Sequence, residues 1–375
     1  MSPSPPNPAA SFIASHADLA AACGRWSTAG VIGVDTEFVR ERTYYPIPAL
    51  IQVTDGDGVA LVDPLSFSDF APLAGLLRDR SVVKVMHAWG EDLEVLERLT
   101  GDTPRGVFDT QLAGAFAGHG YSLGYRALVK ELTHVELDKG ETRSKWLRRP
   151  LSPAQRRYAA LDVAYLLPMH RQLSRELVAC GRVAWFEEES EHQRRARAVD
   201  KLPEVAYLKV RRRGALSPSL HAVLRGLARW RETEAMARDI PRRHLLSDEV
   251  MMALAKASPA DATALRRVRG LSERAAARYE QSLLATIETA RGQGPVALDA
   301  LLNLRLHAGT LDRFRQVVRR VADALRLPPE LLASRRGLEA LLVSVLGNDD
   351  IPGEFQGWRF DVVTKQLLDG MQTPI

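Results

Sequence analysis

Two carboxylates stand two residues apart at Asp35 and Glu37, directly after the apolar run VIGV at 31–34. Side chains alternate along a strand, so positions i and i+2 share one face. Acids held side by side repel each other, and a hard cation is the ordinary reason for such a pair; the plain alternative is a strand end with two solvated acids. A second acid, Asp92, opens the amphipathic stretch EDLEVLERL one position before Leu93. Its neighbour Glu91 is an alternative that spacing leaves open, and a helix start also holds acids simply as caps. A third acid, Asp162, follows Tyr158 by four residues in RYAALDVAYLL. That spacing puts phenol and carboxylate on one helix face. In an otherwise apolar helix, an Asp directed to one face calls for a partner.

These residues need elements to hold them. The runs VIGV (31–34), ALIQV (49–53) and VALV (59–62) read as three neighbouring strands, and Gly56, Asp57 and Gly58 mark the turn between the last two. VVKVM (82–86) reads as a fourth strand. Leu93, Leu96 and Leu99 give the following segment helical spacing, and 109–117 and 122–132 also read as helices. Pro153 opens another helix, capped by Ser152, which carries Tyr158 and Asp162. Strands come first and then alternate with helices, so residues 12–185 form an α/β domain, preceded by a disordered lead at 1–11. A basic linker at 186–213 contains the helical connector EEESEHQRRARAV. Strand patterns then vanish. IPRRHLLSDEVMMALA (240–255) is loosely repeated as LPPELLASRRGLEALL (327–342), which indicates two all-helical modules, 214–292 and 296–375.

Composition narrows the setting. The 375 residues are 46% hydrophobic and 26% charged, as in an ordinary globular protein. No apolar run approaches the roughly 20 residues needed to span a bilayer. The opening MSPSPPNPAA lacks the basic and apolar regions of a signal peptide. Two cysteines, Cys23 and Cys180, make neither a disulfide framework nor a zinc site, which points to reducing cytoplasm. The net charge is +5. Arginines crowd the stretch from Arg194 to Arg243, with Arg211, Arg212 and Arg213 at its centre. Any one of them reads as a solvated surface charge. As a group they read as a surface that tracks phosphates.

The segments VIGVDTEF, HAWGEDLEVL, VFDTQLAGAF and SKWLRRPLSPAQRRYAALDVAYLL, in this order over about residues 30–180, resemble ribonuclease D. That family is the tyrosine branch of the DEDD 3′→5′ exonucleases. LARWRETEAMARDIPRRHLLSDEVMMALA and LRRVRGLSERAAARYEQSLLATI resemble the HRDC module, and 296–375 resembles a second, divergent copy. The resemblance implies a ribonuclease H-like mixed-sheet exonuclease domain followed by two small all-α HRDC-like domains. It implies two divalent ions, Mg²⁺ or Mn²⁺. Four carboxylates suit two hard cations, which neutralise charge on the attacking and leaving oxygens. By resemblance, Asp35 bridges both ions, Glu37 and Asp162 complete the site that activates water, and Asp92 holds the second ion. Tyr158 orients the water, since a phenol with a pKa of about 10 is a poor base at neutral pH. The products are nucleoside 5′-monophosphates. The expected substrates are tRNA precursors or other structured RNAs with 3′ tails, and the expected state is a monomer with no membrane partner.

Secondary expectations follow the same motifs. Thr36 and Phe38 are candidates for contact with the terminal nucleotide, with the core as the alternative for Phe38. Lys139, Arg148 and Arg149 are candidates for substrate phosphates, with solvated charge as the commoner reading of such residues, and Arg211, Arg212 and Arg213 are candidates for the RNA body. His87 reads as a satisfied core histidine, Gln52 as structural, and Asp109 equally as a helix cap or a site acid. Two other functions compete. A DNA 3′→5′ exonuclease uses the same carboxylate chemistry. A binding module without catalysis predicts the loss of at least one acid, whereas all four acids and the tyrosine are present.

Overall fold

The computed structural model describes residues 10–138, 140–141, 144–210, 216–292 and 307–372. Six strands form one mixed sheet: β1 (Ala10–Ile13), β2 (Val31–Val39), β3 (Ile47–Thr54), β4 (Val59–Val62), β5 (Val83–Met86) and β6 (Val107–Asp109), in the order β1-β4-β3-β2-β5-β6. β2, β3 and β4 pair antiparallel, while β1 on β4 and β5 and β6 beyond β2 are parallel. Ala10 and Ser11, expected in the lead at 1–11, belong instead to β1, and residues 1–9 lie outside the described residues. β1 and β6 are too short to carry an alternation pattern of their own.

Eight helices accompany the sheet: α1 (His16–Trp26), α2 (Ala71–Arg78), α3 (Gly90–Thr100), α4 (Thr110–Ala117), α5 (Tyr125–Thr133), α6 (Pro153–Ala164), α7 (Leu166–Ala179) and α8 (Val183–Asp200). Alternate β2 and β3 residues Ile32, Val34, Ile51 and Val53 point to one side, where they share a buried cluster with Leu19, Leu73 and Leu93 of α1, α2 and α3. The other set of β2 residues carries Gly33, Asp35 and Glu37. α6 packs on β2, β3 and β4. Gly33 is required there: a Cβ would lie 2.8 Å from Thr54 Cγ2 and 3.1 Å from Leu166 Cβ, so any side chain would push α7 off the sheet.

The start of α6 is fixed locally. Pro153 takes the first turn, the Ser152 hydroxyl accepts from Gln155 N–H at 3.1 Å, and the Gln155 amide oxygen accepts from Ser152 N–H at 2.9 Å. This reciprocal cap satisfies two orphan donors and sets the rotation of everything downstream, Tyr158 and Asp162 included.

Beyond these, the α-helices among the described residues are α9 (Pro218–Arg238), α10 (Arg242–Leu245), α11 (Asp248–Ala257), α12 (Ala262–Arg266), α13 (Glu273–Gly292), α14 (Ala308–Leu325), α15 (Pro329–Leu332), α16 (Arg335–Gly347) and α17 (Lys365–Gln372). Contacts divide the chain into two units. One holds the described residues up to Arg40 with Pro46–Ser190 and Arg319–Leu332; the other holds Glu41–Tyr45, Glu191–Val318 and Ala333 onward. The second unit has its own core, built on Leu224, Leu227, Leu254, Leu283 and Ile287. Within it the Tyr44 hydroxyl donates to Glu232 at 2.5 Å, Arg242 forks the same carboxylate, and Asp239 accepts from Tyr44 and Tyr45 N–H at 2.9 Å. Among the described residues no helix is long and apolar enough to cross a membrane.

Candidate active site

Asp35 and Glu37 lie on the same face of β2, opposite Gln52 and Leu50 of β3. The strand register shifts immediately after Glu37, between Glu37 and Phe38. A bulge there ends the regular alternation and turns the strand beyond the acids. Gln52, the register partner of Asp35, is fully buried, yet neither of its amide atoms has a hydrogen-bond partner.

Asp92 sits in the first turn of α3, and Thr36 of β2 donates its hydroxyl to Asp92 Oδ1 at 2.6 Å. The ambiguity at the start of α3 resolves in space: Glu91 is exposed, while Asp92 faces inward. Two residues on, Glu94 is forked by Arg40 at 3.0 and 3.1 Å, which ties the end of β2 to α3.

On α6 the Tyr158 hydroxyl hydrogen-bonds the Asp162 carboxylate one turn away. Around Tyr158 stand Trp146, with ring centroids 6.0 Å apart, and Arg126, whose guanidinium carbon is 5.4 Å from the ring centre. Gly140 lies against the ring so closely that a Cβ would be 2.4 Å from Tyr158 Cδ2. Behind Asp162 the helix is interrupted. Tyr125 of α5 donates its hydroxyl to the Leu161 carbonyl at 2.8 Å and accepts from Tyr165 N–H at 3.2 Å. A phenol thus occupies the place of one i→i+4 backbone bond, which separates α6 from α7.

The electrostatics bind these pieces into one cluster. Burial, then the charges of Asp92, Asp162 and Glu37, push Asp35 well above the usual carboxylate range. Glu37 rises from 4.5 to about 8 through burial and the charges of Asp162 and Asp92. Burial raises Asp162 to about 7, against the opposing pull of Arg126 and the Tyr158 hydroxyl. Burial raises Asp92 to about 6, with the Thr36 hydroxyl opposing. Four carboxylates that cannot all stay ionised together lack a counter-charge. As they stand, no three acidic, histidine or cysteine side chains among the described residues are drawn tightly enough to hold an ion. The donor set is what fits a metal: four half-buried carboxylates of like charge, beside the buried Gln52 amide with no partner.

The other expected residues divide clearly. Thr36 is buried with its hydroxyl committed to Asp92, and Phe38 is half-buried beyond the bulge. Arg148 is exposed. Arg149 is not available to phosphate. It forks Asp63 at 2.8 and 2.6 Å and also donates to the carbonyls of Ala49 and Trp146. Burial would raise Asp63, but these bonds hold its carboxyl below the usual range. Lys139, Arg211, Arg212 and Arg213 lie outside the described residues. Elsewhere in the basic stretch, Arg231 is buried against Asp248 and the Leu246 carbonyl, and Arg242 is held by Glu232, so both are structural. His87 is satisfied: Nε2–H donates to the Leu123 carbonyl at 3.0 Å, leaving Nδ1 to accept from the Thr110 hydroxyl at 2.9 Å. Burial lowers it to about 4, so it is neutral. Sequence reasoning missed Tyr125, Arg126, Gly140 and Trp146. Gly140 alone carried a local signal, as a glycine next to a motif; the others meet Tyr158 and Asp162 only through tertiary packing.

A family model for a 3′-5′ exonuclease matches residues 11–178, and a model for the HRDC domain matches 221–287. The chain is 38% identical over 372 residues to ribonuclease D of Pseudomonas paraeruginosa, covering 98% of both chains. It is 35% identical over 361 residues to ribonuclease D of Escherichia coli, covering 94% of this chain and 96% of that one. The crystal structure of E. coli RNase D, an exoribonuclease involved in structured RNA processing, aligns with a TM-score of 0.86 at 33% identity over 97% of this chain and 99% of that one. The catalytic core of RRP6 from Trypanosoma brucei shares the fold, with a TM-score of 0.55 at 23% identity over 76% of this chain and 80% of that one. With its mixed-sheet exonuclease domain, its acid cluster and a helical region containing an HRDC domain, the chain belongs to the ribonuclease D family of 3′→5′ exoribonucleases.

Proposed function

We propose that Asp35, Glu37, Asp92 and Asp162 hold two divalent ions, Mg²⁺ or Mn²⁺, and that the enzyme releases nucleoside 5′-monophosphates from the 3′ ends of tRNA precursors and other tailed, structured RNAs. The observation that carries this reading is the acid cluster itself. Burial raises all four carboxylates from β2, α3 and α6, and the charges of Asp92 and Asp162 raise Asp35 and Glu37 further, a conflict that bound cations would relieve with the acids ionised. When bound, such ions lower the pKa of water and neutralise charge on the attacking and leaving oxygens.

The protein's own groups do the rest. Asp35, whose carboxylate feels the charges of Asp92, Asp162 and Glu37, would hold the ions together with them. Glu37 and Asp162 belong to the water-activating side and Asp92 to the other. Loading the site requires these acids to give up protons, Asp35 and Glu37 above all. Tyr158 steadies Asp162 through its hydroxyl and, held between Gly140 and Trp146, orients the attacking water. Residues 12–185 trim the RNA, while the helical blocks at 214–292 and 296–375, joined by the basic linker at 186–213, hold its body. Thr36 and Phe38 contact the last nucleotide through backbone and ring. Lys139, Arg148, Arg211, Arg212 and Arg213 meet phosphates along the way. The enzyme works as a monomer in the cytoplasm.

The test is release of mononucleotides from a 3′-tailed tRNA transcript with Mg²⁺, Mn²⁺ or EDTA, beside the Asp35→Ala protein and a DNA strand of equal length. Stepwise shortening of RNA, abolished by EDTA and by Asp35→Ala, is the expected result. Faster loss from DNA would move the substrate assignment to a repair-type exonuclease.

A further inference from the structure

The turn from β5 into α3 runs through His87, Ala88 and Trp89. Ala88 has φ +54°, in the left-handed region that a residue with a Cβ rarely adopts. α3 has no side-chain cap of its own, since its N-cap position is Trp89. The missing acceptor comes from another element. Asp109, at the end of β6, is buried, and its Oδ1 accepts from Ala88 N–H at 2.9 Å and from Gln111 N–H at 2.8 Å. Its carboxylate also faces the N–H groups of Trp89 and Leu112. One oxygen thus caps α4 and holds the strained entry to α3 at the same time. Asp92 sits in the turn that this entry starts, 2.6 Å from the Thr36 hydroxyl.

We infer that Asp109 is a positioning residue for Asp92. As a hydrogen-bond acceptor it locks Ala88 in the left-handed conformation and so fixes where the first turn of α3 delivers its carboxylate. The inference rests on Asp92 being a metal ligand, and it assigns Asp109 no contact with metal or RNA. The hydrogen bond matters rather than the charge, because the carboxylate faces only neutral backbone amides, and those of Ala88 and Gln111 meet one oxygen, Oδ1. An asparagine keeps that oxygen and an alanine does not. Glycine at 88 would adopt the turn without help.

The experiment is calorimetric titration of Mn²⁺ into the full chain, with turnover on a tailed RNA measured in parallel. Asp109→Ala is expected to weaken Mn²⁺ binding about 10- to 100-fold, and to lower kcat while KM for RNA holds. Asp109→Asn is expected to stay within about threefold of wild type, because the acceptor survives. Ala88→Gly added to Asp109→Ala is expected to recover part of the lost affinity. Should Asp109→Ala fail to fold, Ala88→Val, which penalises the turn and leaves Asp109 in place, is expected to weaken Mn²⁺ binding likewise. Equal losses in Asp109→Ala and Asp109→Asn would overturn the inference in favour of a charge role. Wild-type Mn²⁺ affinity in Asp109→Ala, or in Ala88→Val, would reduce Asp109 to a cap for α4. Asp92→Asn separates the two claims. If it leaves Mn²⁺ binding intact, the reading of the metal site fails; if it weakens binding while Asp109→Ala does not, the positioning role alone fails.

Discussion

Removing one charge from the acid cluster should make the metal-free protein more stable and inactive at once. Glu37 is the clearest case, with its pKa raised from 4.5 to about 8 by burial and by Asp162 and Asp92. A folded-state pKa above the unfolded one means that the folded protein binds the proton more tightly. The ionised form therefore costs folding free energy above pH 8. The cost shrinks as pH falls between about 8 and 4.5 and is gone below that. At full strength a change of this size is worth about 5 kcal/mol. The neighbouring acids share protons over the same range, and relaxation leaves about 2 kcal/mol to be measured. For a chain of this length that is about 2.5 °C in Tm. The assay is thermal unfolding of wild type and Glu37→Gln in EDTA at pH 5 and pH 8. The variant should melt about 2.5 °C higher at pH 8 and within about 1 °C of wild type at pH 5. Mg²⁺ should raise the wild-type Tm more at pH 8 than at pH 5, and raise the variant's less. A lower Tm for Glu37→Gln at pH 8, or the same gain at both pH values, would refute the claim that repulsion in the cluster burdens the fold.

Three further outcomes test separate parts of the molecule. Tyr158→Phe keeps the ring between Gly140 and Trp146 and loses the bond to Asp162; kcat should fall about 10²-fold with RNA affinity unchanged, and an unaltered kcat would remove Tyr158 from the reaction. Arg149→Ala strands the buried Asp63 carboxylate and should cost about 3 kcal/mol in denaturant unfolding, while RNA affinity per folded molecule holds. A loss of RNA affinity instead would return Arg149 to the substrate path. Replacing Arg211, Arg212 and Arg213 by alanine should weaken RNA binding and flatten its dependence on salt by up to about two to three ion equivalents. An unmoved slope would mean that those three charges meet no phosphate.

The strand acids, the capped helix and the Tyr–Asp pair were legible because each depends on spacing within one element. β2 alternates, α6 announces its start with Ser152 and Pro153, and four residues always make one helical turn. Arg149 was misread for the converse reason: its partner Asp63 lies on a different strand connection, and nothing near Arg149 in sequence marks the fork. β6 escaped notice because three residues of strand merge into the α4 signal, which begins at Asp109. The roles of Tyr125 and Gly140 depend on what the folded chain brings within 3 Å of a helix, and periodicity carries no trace of that. Even the choice between Glu91 and Asp92 needed Thr36, a residue on another element, to settle it.

The phenol of Tyr125 inside the α6–α7 junction has a consequence for how this site adjusts. A continuous rod from Pro153 to Ala179 would transmit any tilt at one end to the other. The junction instead works as a mortise: the two rods meet on a hydroxyl that returns both backbone bonds, so neither end is left unsatisfied when the angle changes. α7 stays seated on the sheet by Gly33 and Leu166, while the stretch bearing Tyr158 and Asp162 answers to a side chain from a third helix. The aim of the stretch bearing Tyr158 and Asp162 is thereby set separately from the foundation it stands on, since Tyr125 holds the one and Gly33 with Leu166 the other.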